Sequence, residues 1–599
     1  MSLFAELKRR NVFRVAAAYL ALGWIVTQVT STVAPMLHLP EWVGPLVLWI
    51  GVIGFPFVAM FSWIYELTPE GIRKETEVDR TQSITHQTAR RLDYVIIALL
   101  VVAIALFAWS QFRPVARERL TVVATPQSAT PGAGAVDRSV AVLPFVDMSA
   151  AKNREYFADG ISEELLNLLA KVPQLRVIAR TSSFSFKGKE VDIAEIAKKL
   201  NVANVLEGSV RTSGDKVRIT AQLIRASDSS HLWSETYDRK MTDVFSVQDE
   251  IAAAVVAQLK VTLLGAAPSA RKTDPRAYAL YLQGRELEFQ YSTASLEQAV
   301  ALYKQAVAID PSYAPAWVHL TWAYFSQVDL GVLTPAQGLE RSRDALGKAL
   351  AADPANAFAY ATMALWEGVL ERKYEVAARH VEQALALDPT NFEAIDIAAV
   401  LARRLGRLDL AIALGEYLVV RDPVNPANHD DLALAYGYNG QLDKAIAARR
   451  TVLSLSPDAG WQHTALGDLL LLKGDATAAL AEYQKEPIEC FHLVGLTKAY
   501  HALGRKADSD AARAGMMHKC VDKKPFNVAA TLAYLGDVDG AFQMLDKAAQ
   551  IQDTDLGAVA IFPAFAGMHK DPRWLPLLRR LGLAPDQLAA IKLDVKVPQ

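Results

Sequence analysis

Cysteine is nearly absent from this chain: two in 599 residues, Cys490 and Cys520. That excludes a disulfide framework or a thiolate metal cluster as the organising device. Net charge is nearly absent too. Lys and Arg number 63 against 65 Asp and Glu, a formal charge of -2 that gives no reason to expect nucleic acid as a partner. The short signatures of common catalysis are missing: there is no P-loop, no HExxH, no GxSxG and no EF-hand loop. Gly132-Ala-Gly134 is not a nucleotide loop, because no strand precedes it and no third glycine opens a helix. Cys490, His492, His518 and Cys520 come nearest to a metal constellation, but one-residue gaps are not usual zinc-finger spacing. No nucleophile, base and orienter can be named, so the expectation is a protein without catalytic residues, metal or cofactor.

What is abundant is apolar surface, 52% of residues. Part of it lies in three charge-free runs, 15–37, 42–65 and 94–112, each near the roughly 20 residues that span a bilayer as a helix. The first run is too long for a signal peptide and a second follows at once. Residues 1–113 therefore read as a membrane region with three transmembrane helices and the lipid bilayer as a partner. Basic residues set the orientation. Lys8, Arg9, Arg10 and Arg14 precede the first run, and Arg73, Lys74, Arg80, Arg90 and Arg91 sit between the second and third. Both segments belong to the cytoplasmic side. The N-terminus is then cytoplasmic, and everything after about 113 faces the periplasm of a bacterial inner membrane.

Residues 114–137 are rich in Ala, Pro, Thr and Gly and read as a linker. From 138 to 265 the pattern changes. SVAVLPF is a buried strand, and YFADGISEELLNLLAKV an amphipathic helix with Ile161, Leu165, Leu168 and Leu169 on one face. Its Asp159, Ser162, Glu163 and Glu164 read as first-turn capping residues. A second strand and helix follow, then three β-rich runs with a tight turn at Ser213-Gly214-Asp215, then a closing helix. The order β-α-β-α-β-β-β-α predicts a small α+β domain. The stretches SVAVLPFVDMS, YFADGISEELLNLLAKVPQLRVIARTSSFSFKGK and NVLEGSVRTSGDKVRITAQLIRASDSSHLWSETYDR resemble the TolB N-terminal-like (FlgO-like) domain. The arrangement also resembles membrane-anchored regulators of the CadC type and certain class III adenylate cyclases, which carry a cytoplasmic output domain. The cytoplasmic parts expected here are too short for one, so the resemblance implies that any signalling output comes from a partner.

The second half is periodic. Pro311, Pro354, Pro389, Pro423 and Pro457 recur, with Ala299, Ser342, Ala377, Ala411 and Ala445 twelve residues before them. Ala306, Ala349, Ala384, Leu418 and Val452 stand five before. This is the mark of a helical-hairpin solenoid, predicted over 274–550 with about eight units. Leu466-Gly467, Ala479 and Tyr483 fall where tetratricopeptide repeats, which these units resemble, have Leu-Gly, Ala and an aromatic. Residues 551–599 read as capping helices and tail, PRWLPLLRRLGL being a helix whose outer face carries Arg579 and Arg580. The fold class is thus multi-domain: transmembrane helices, a small α+β domain, then an all-α solenoid.

A solenoid presents a long concave surface, so the chain reads as a binding protein. Counting back from each proline places Glu393, Asp396, Arg403, Arg404, Asp430, Tyr438, Trp461 and Asp468 on the inward helix faces, a candidate site for proteins or peptides. Repeats that clamp a terminal carboxylate use Lys and Asn there. Asp396, Val400, Asp430 and Leu434 stand at the matching places, which disfavours that ligand. Cys490 opens one predicted helix and Cys520 closes its antiparallel partner, so the pair is a candidate disulfide. The expected function is a membrane-anchored scaffold. The first alternative is a periplasmic sensor that passes a signal to a separate cytoplasmic partner; the second, less favoured, is an enzyme of unidentified chemistry.

Overall fold

The computed structural model describes residues 138–150, 154–172, 174–259 and 273–598. Before them it describes the backbone of 65–68 and 71–74 and eight scattered positions between 19 and 55. Apart from those positions, the three expected spans lie outside the described residues, as does the linker. Among the described residues no helix is long and apolar enough to cross a membrane. The chain divides into two compact units, Met1–Ser128 and Ala129–Gln599. In the first, β1 (Tyr65–Thr68) and β2 (Gly71–Lys74) form an antiparallel hairpin. Tyr19 donates its hydroxyl to the Gly51 carbonyl at 3.0 Å.

The second unit opens with a sheet ordered β5-β3-β6-β7-β8. β3 (Ser139–Val142) runs parallel to β5 (Arg176–Val177) and to β6 (Asn204–Ser213). β6, β7 (Lys216–Arg225) and β8 (His231–Lys240) form an antiparallel meander. Gly214, at φ +62°, carries the two-residue turn between β6 and β7. Side chains alternate across β3. Val140 and Val142 pack toward α1 (Glu155–Ala170) and α4 (Val244–Gln258), while Ala141 packs toward α3 (Ile193–Leu200). Burial on both faces is why SVAVLPF reads as an unbroken apolar run. Two short elements exceed the expected order: β4 (Val146–Asp147), paired with β6, and α2 (Arg180–Phe184).

The capping expectation for α1 fails. The helix starts at Glu155, so Asp159, Ser162, Glu163 and Glu164 lie in its second and third turns. Ser162 instead accepts from the Phe145 amide at 2.8 Å and donates to the Ala158 carbonyl at 3.0 Å.

The solenoid follows as eight helix pairs among the described residues. They are α5 (Pro275–Phe289) with α6 (Thr293–Ile309), and α7 (Ala314–Asp329) with α8 (Pro335–Ala352). Next come α9 (Ala357–Leu365) with α10 (Tyr374–Leu387), and α11 (Phe392–Arg404) with α12 (Leu408–Arg421). The later pairs are α13 (Pro426–Tyr438) with α14 (Leu442–Leu455), and α15 (Gln462–Leu472) with α16 (Ala476–Tyr483). The last are α17 (Glu489–Ala502) with α18 (Lys506–Lys519), and α19 (Pro525–Tyr534) with α20 (Val538–Gln550).

The periodic residues explain the packing. Ala299, Ser342, Ala377, Ala411 and Ala445 are all buried, as are Ala306, Ala349, Ala384, Leu418 and Val452. Small side chains there let neighbouring helices approach closely. The Tyr483 ring fills the space beside Gly467 and Gly495, where a Cβ would not fit. The recurring Asp-Pro-x-Asn sets the boundaries: Asn356, Asn391 and Asn425 each accept from an amide in the first turn of the next helix. Trp461 departs from the expected register. It precedes α15 in the left-handed region at φ 62°, and the helix begins two residues later after Pro457 than its counterparts do after Pro389 and Pro423.

After α20 come two 3-10 turns, Thr554–Ala558 and Pro563–Met568, then α21 (Trp574–Leu581) and α22 (Pro585–Ala590). Arg579 and Arg580 are exposed in the last turn of α21.

Candidate interaction surface

The inner face is best developed on repeats four and five. Glu393, Asp396, Arg403 and Arg404 rise from α11, and Asp430, Asp431 and Tyr438 from α13. Arg403 donates to Asp431 Oδ1 at 2.6 Å. With Asp396 and Asn428 they line a small cavity floored by Ala411 and Gly415 of α12. Desolvation, together with the charges of Asp431 and Glu393, pushes Asp396 up to about 7. Glu393 is solvent-exposed but sits between protein walls, and this partial desolvation raises it above the usual carboxylate range. This face therefore carries an acidic patch in which Glu393 is exposed and Asp396, half-buried, titrates near neutrality.

The other predicted inward residues are engaged by the protein itself. Asp430 accepts from the buried Arg449, whose guanidinium lies 4.8 Å from the Trp461 ring centroid. Asp468 accepts from Tyr483 Oη at 2.6 Å and from Lys498 Nζ. Arg404 donates to the Thr554 carbonyl at 3.3 Å, and Tyr438 meets Phe562 with ring centroids 6.0 Å apart. The two 3-10 turns thus lie over Arg404 and Tyr438, and Phe562 also reaches Phe526 on α19, centroids 5.3 Å apart. Repeats far apart in sequence are bridged by this segment.

The α+β domain also grips the solenoid. The Ala179 amide donates to the Arg421 carbonyl at 2.8 Å, and the Ser182 amide to Asp422 Oδ1 at 2.9 Å. Glu163 of α1 accepts from Arg285 of α5 at 2.7 Å and from Arg180 at 2.9 Å. Arg285 also donates to His319 Nε2 at 3.0 Å, which leaves Nδ1–H to donate to Glu288 Oε2 at 3.2 Å. Burial, then the Arg285 charge, lower His319 and keep it neutral in this network. Burial alone raises Glu163, yet Arg285 and Arg180 outweigh it and hold the carboxyl below its ordinary range. The sequence suggests only a capping role for Glu163 and singles out none of Arg285, Glu288 and His319. Counting from Gly284 and the aromatic Tyr303 would have placed Arg285 and Glu288 on the inner face.

Cys490 and Cys520 are bonded, with Cα atoms 5.5 Å apart across the α17–α18 hairpin. Among the described residues no group of three His, Cys, Asp or Glu side chains is placed to hold a metal. A cleft of about 360 Å³ opens between repeats one and two, where Lys304, Arg341 and Lys348 surround Trp317 and Tyr324.

Comparisons place pieces of the chain. Residues 136–254 match the family described as HilA/YgeH-like transcriptional regulator, second domain. A curated relative named "Putative adenylate cyclase 3", from Rhizobium meliloti (strain 1021), is 40% identical over 220 residues, 36% of this chain and 37% of its own. The chain therefore spans well under half of that relative. Among solved structures, human IFIT1 is similar over 51% of this chain and 78% of its own, at 14% identity and TM-score 0.32. PilF of Pseudomonas aeruginosa is similar over 34% and 90%, at 17% identity and TM-score 0.29. YrrB, described as a TPR protein with an unusual peptide-binding site, is similar over 35% and 97%, at 17% identity and TM-score 0.25.

Proposed function

We propose that this protein is a membrane-anchored interaction scaffold whose solenoid and TolB-like domain bind protein partners outside the cytoplasm, without covalent chemistry. The observation that carries the reading is the acidic patch on repeats four and five, where Glu393 is exposed, Asp396 is half-buried and Asp431 is paired with Arg403. Its charge suits a partner segment that presents a lysine, arginine or amino terminus. Anchoring rests on the charge-free runs and placement on the basic flanks. The Cys490–Cys520 bond supports an oxidising compartment.

Affinity capture from membrane extract tests the reading. The intact chain should retain a defined set of proteins that Glu393→Lys and Asp396→Lys lose together. Equal retention by both variants, or turnover of ATP by the purified chain, would overturn it.

The second reading, a sensor for a separate cytoplasmic output protein, draws support from the names of the matched relatives, a transcriptional regulator and a cyclase. It requires a cytoplasmic partner that crosslinks to the 66–91 segment.

A further inference from the structure

After α22 the chain leaves helical geometry at Ile591, φ -74° and ψ 120°, and continues to Pro598 with no backbone ladder to any strand. Its side chains alternate. Leu593 and Val595 are buried and Ile591 and Val597 half-buried against the solenoid core, while Lys592, Asp594 and Lys596 are exposed. This is the period of an extended strand lying on a surface with one face down.

The backbone of this stretch is gripped by side chains, not by other backbone. Arg407, in the turn of repeat four, donates to the carbonyls of Leu593, at 3.0 Å, and of Ile591. Glu382, on α10 of repeat three, accepts the Asp594 amide at 2.6 Å. One guanidinium reads two carbonyls a strand-repeat apart, and one carboxylate reads the next amide. Such contacts recognise main chain, and the apolar floor selects aliphatic side chains at every second position. That is the recognition mode of a bound extended peptide.

We propose that residues 591–597 are a built-in ligand. The groove between Glu382 and Arg407 is a binding site for an extended protein segment with aliphatic side chains at alternate positions. The tail closes it in cis, and a competing segment opens it by displacement. The inference goes beyond the scaffold reading and stands without it, since this groove is separate from the acidic patch. Loss of binding at one leaves the other intact.

The test uses the solubilised full chain and a fluorescein-labelled peptide of residues 589–598. Two forms empty the groove: a chain shortened after Ala590, and a full-length L593D/V595D variant. Fluorescence anisotropy should show both binding the peptide at least tenfold more tightly than the intact chain does. Adding Arg407→Ala to either form should weaken binding tenfold or more, and a peptide carrying the same two aspartates should not bind. Emptied forms that stay folded, whatever their melting temperature, but do not bind the peptide would overturn the proposal. So would loss of the solenoid's folding in both forms, which would make the tail part of the core.

Discussion

Ser182 and Asp422 hold each other across 240 residues of sequence. The Ser182 amide donates to Asp422 Oδ1 at 2.9 Å, and the Ser182 hydroxyl accepts from the Val424 amide at 3.0 Å. Both side chains are buried. Asp422 is one of the aspartates that precede the periodic prolines. Asp310 and Asp388 accept from amides in their own turns, at 3.0 and 3.1 Å, whereas Asp422 is recruited by the α+β domain. A residue of the repeat has become the bolt between two domains.

Asp422→Ala should therefore loosen the domain junction and leave the repeats folded. The variant strands a buried amide, a loss of about 1–3 kcal/mol. Hydrogen exchange should quicken at 179–184 and at 420–425 while α17 to α20 stay protected. Unchanged exchange at 179–184 would mean the junction is held elsewhere.

Asp396 makes stability depend on pH. Its folded value, about 7, lies above the unfolded one. Protonation therefore favours the fold: the contribution is fully present below about pH 4 and is lost as pH rises through about 7. Asp431, Glu393, Asp422 and Arg403 are the charges that act on it. Asp396→Asn should stabilise the chain at pH 8 by about 1–2 kcal/mol, the lower end reflecting its partial exposure. It should also flatten the melting temperature between pH 5 and 8. A variant that melts lower than the parent at pH 8 contradicts this account.

Ala411 is 3% exposed and floors the cavity under Asp396. Ala411→Trp overpacks that site, at a cost of about 1–3 kcal/mol or more. Because each repeat is held mainly by its neighbours, the loss should spread to repeats three and five. An unaltered thermal transition would contradict the tight packing described.

The Cys490–Cys520 bond closes a loop with a sequence separation of 30. In the chain-entropy model such a loop stabilises the fold by roughly 3–4 kcal/mol. Cys520→Ser should lower the melting temperature, and reductant should lower it for the parent but not for the variant. Mass spectrometry of alkylated, non-reduced protein from membranes should find neither thiol labelled.

The sequence made the repeats legible because their rules are local. A proline ends one helix, and a small residue twelve before it marks a close crossing. The helix pairs, their register and the α+β order follow from such signals. What remained hidden depends on the path of the whole solenoid. Phe562 reaching Tyr438, Arg407 gripping Leu593 and Ser182 meeting Asp422 each join segments more than a hundred residues apart. No periodicity encodes those contacts. The same holds for Arg404 and Tyr438, which are covered by the chain's own later segment. Asp159 and Glu163 read as caps from the sequence, yet α1 starts at Glu155 and already buries Phe157 and Ala158 in its first turn.

The acidic patch of repeats four and five is expected to receive a protein partner. Site-specific photo-crosslinking in living cells examines this, with p-benzoylphenylalanine placed at Glu393 and, as a control away from the patch, at the exposed Arg379. The prediction is a discrete protein adduct at 393 that Asp396→Lys abolishes, and none at 379. An adduct pattern shared by both positions, or a silent 393 in a chain present at normal level, would contradict the claim.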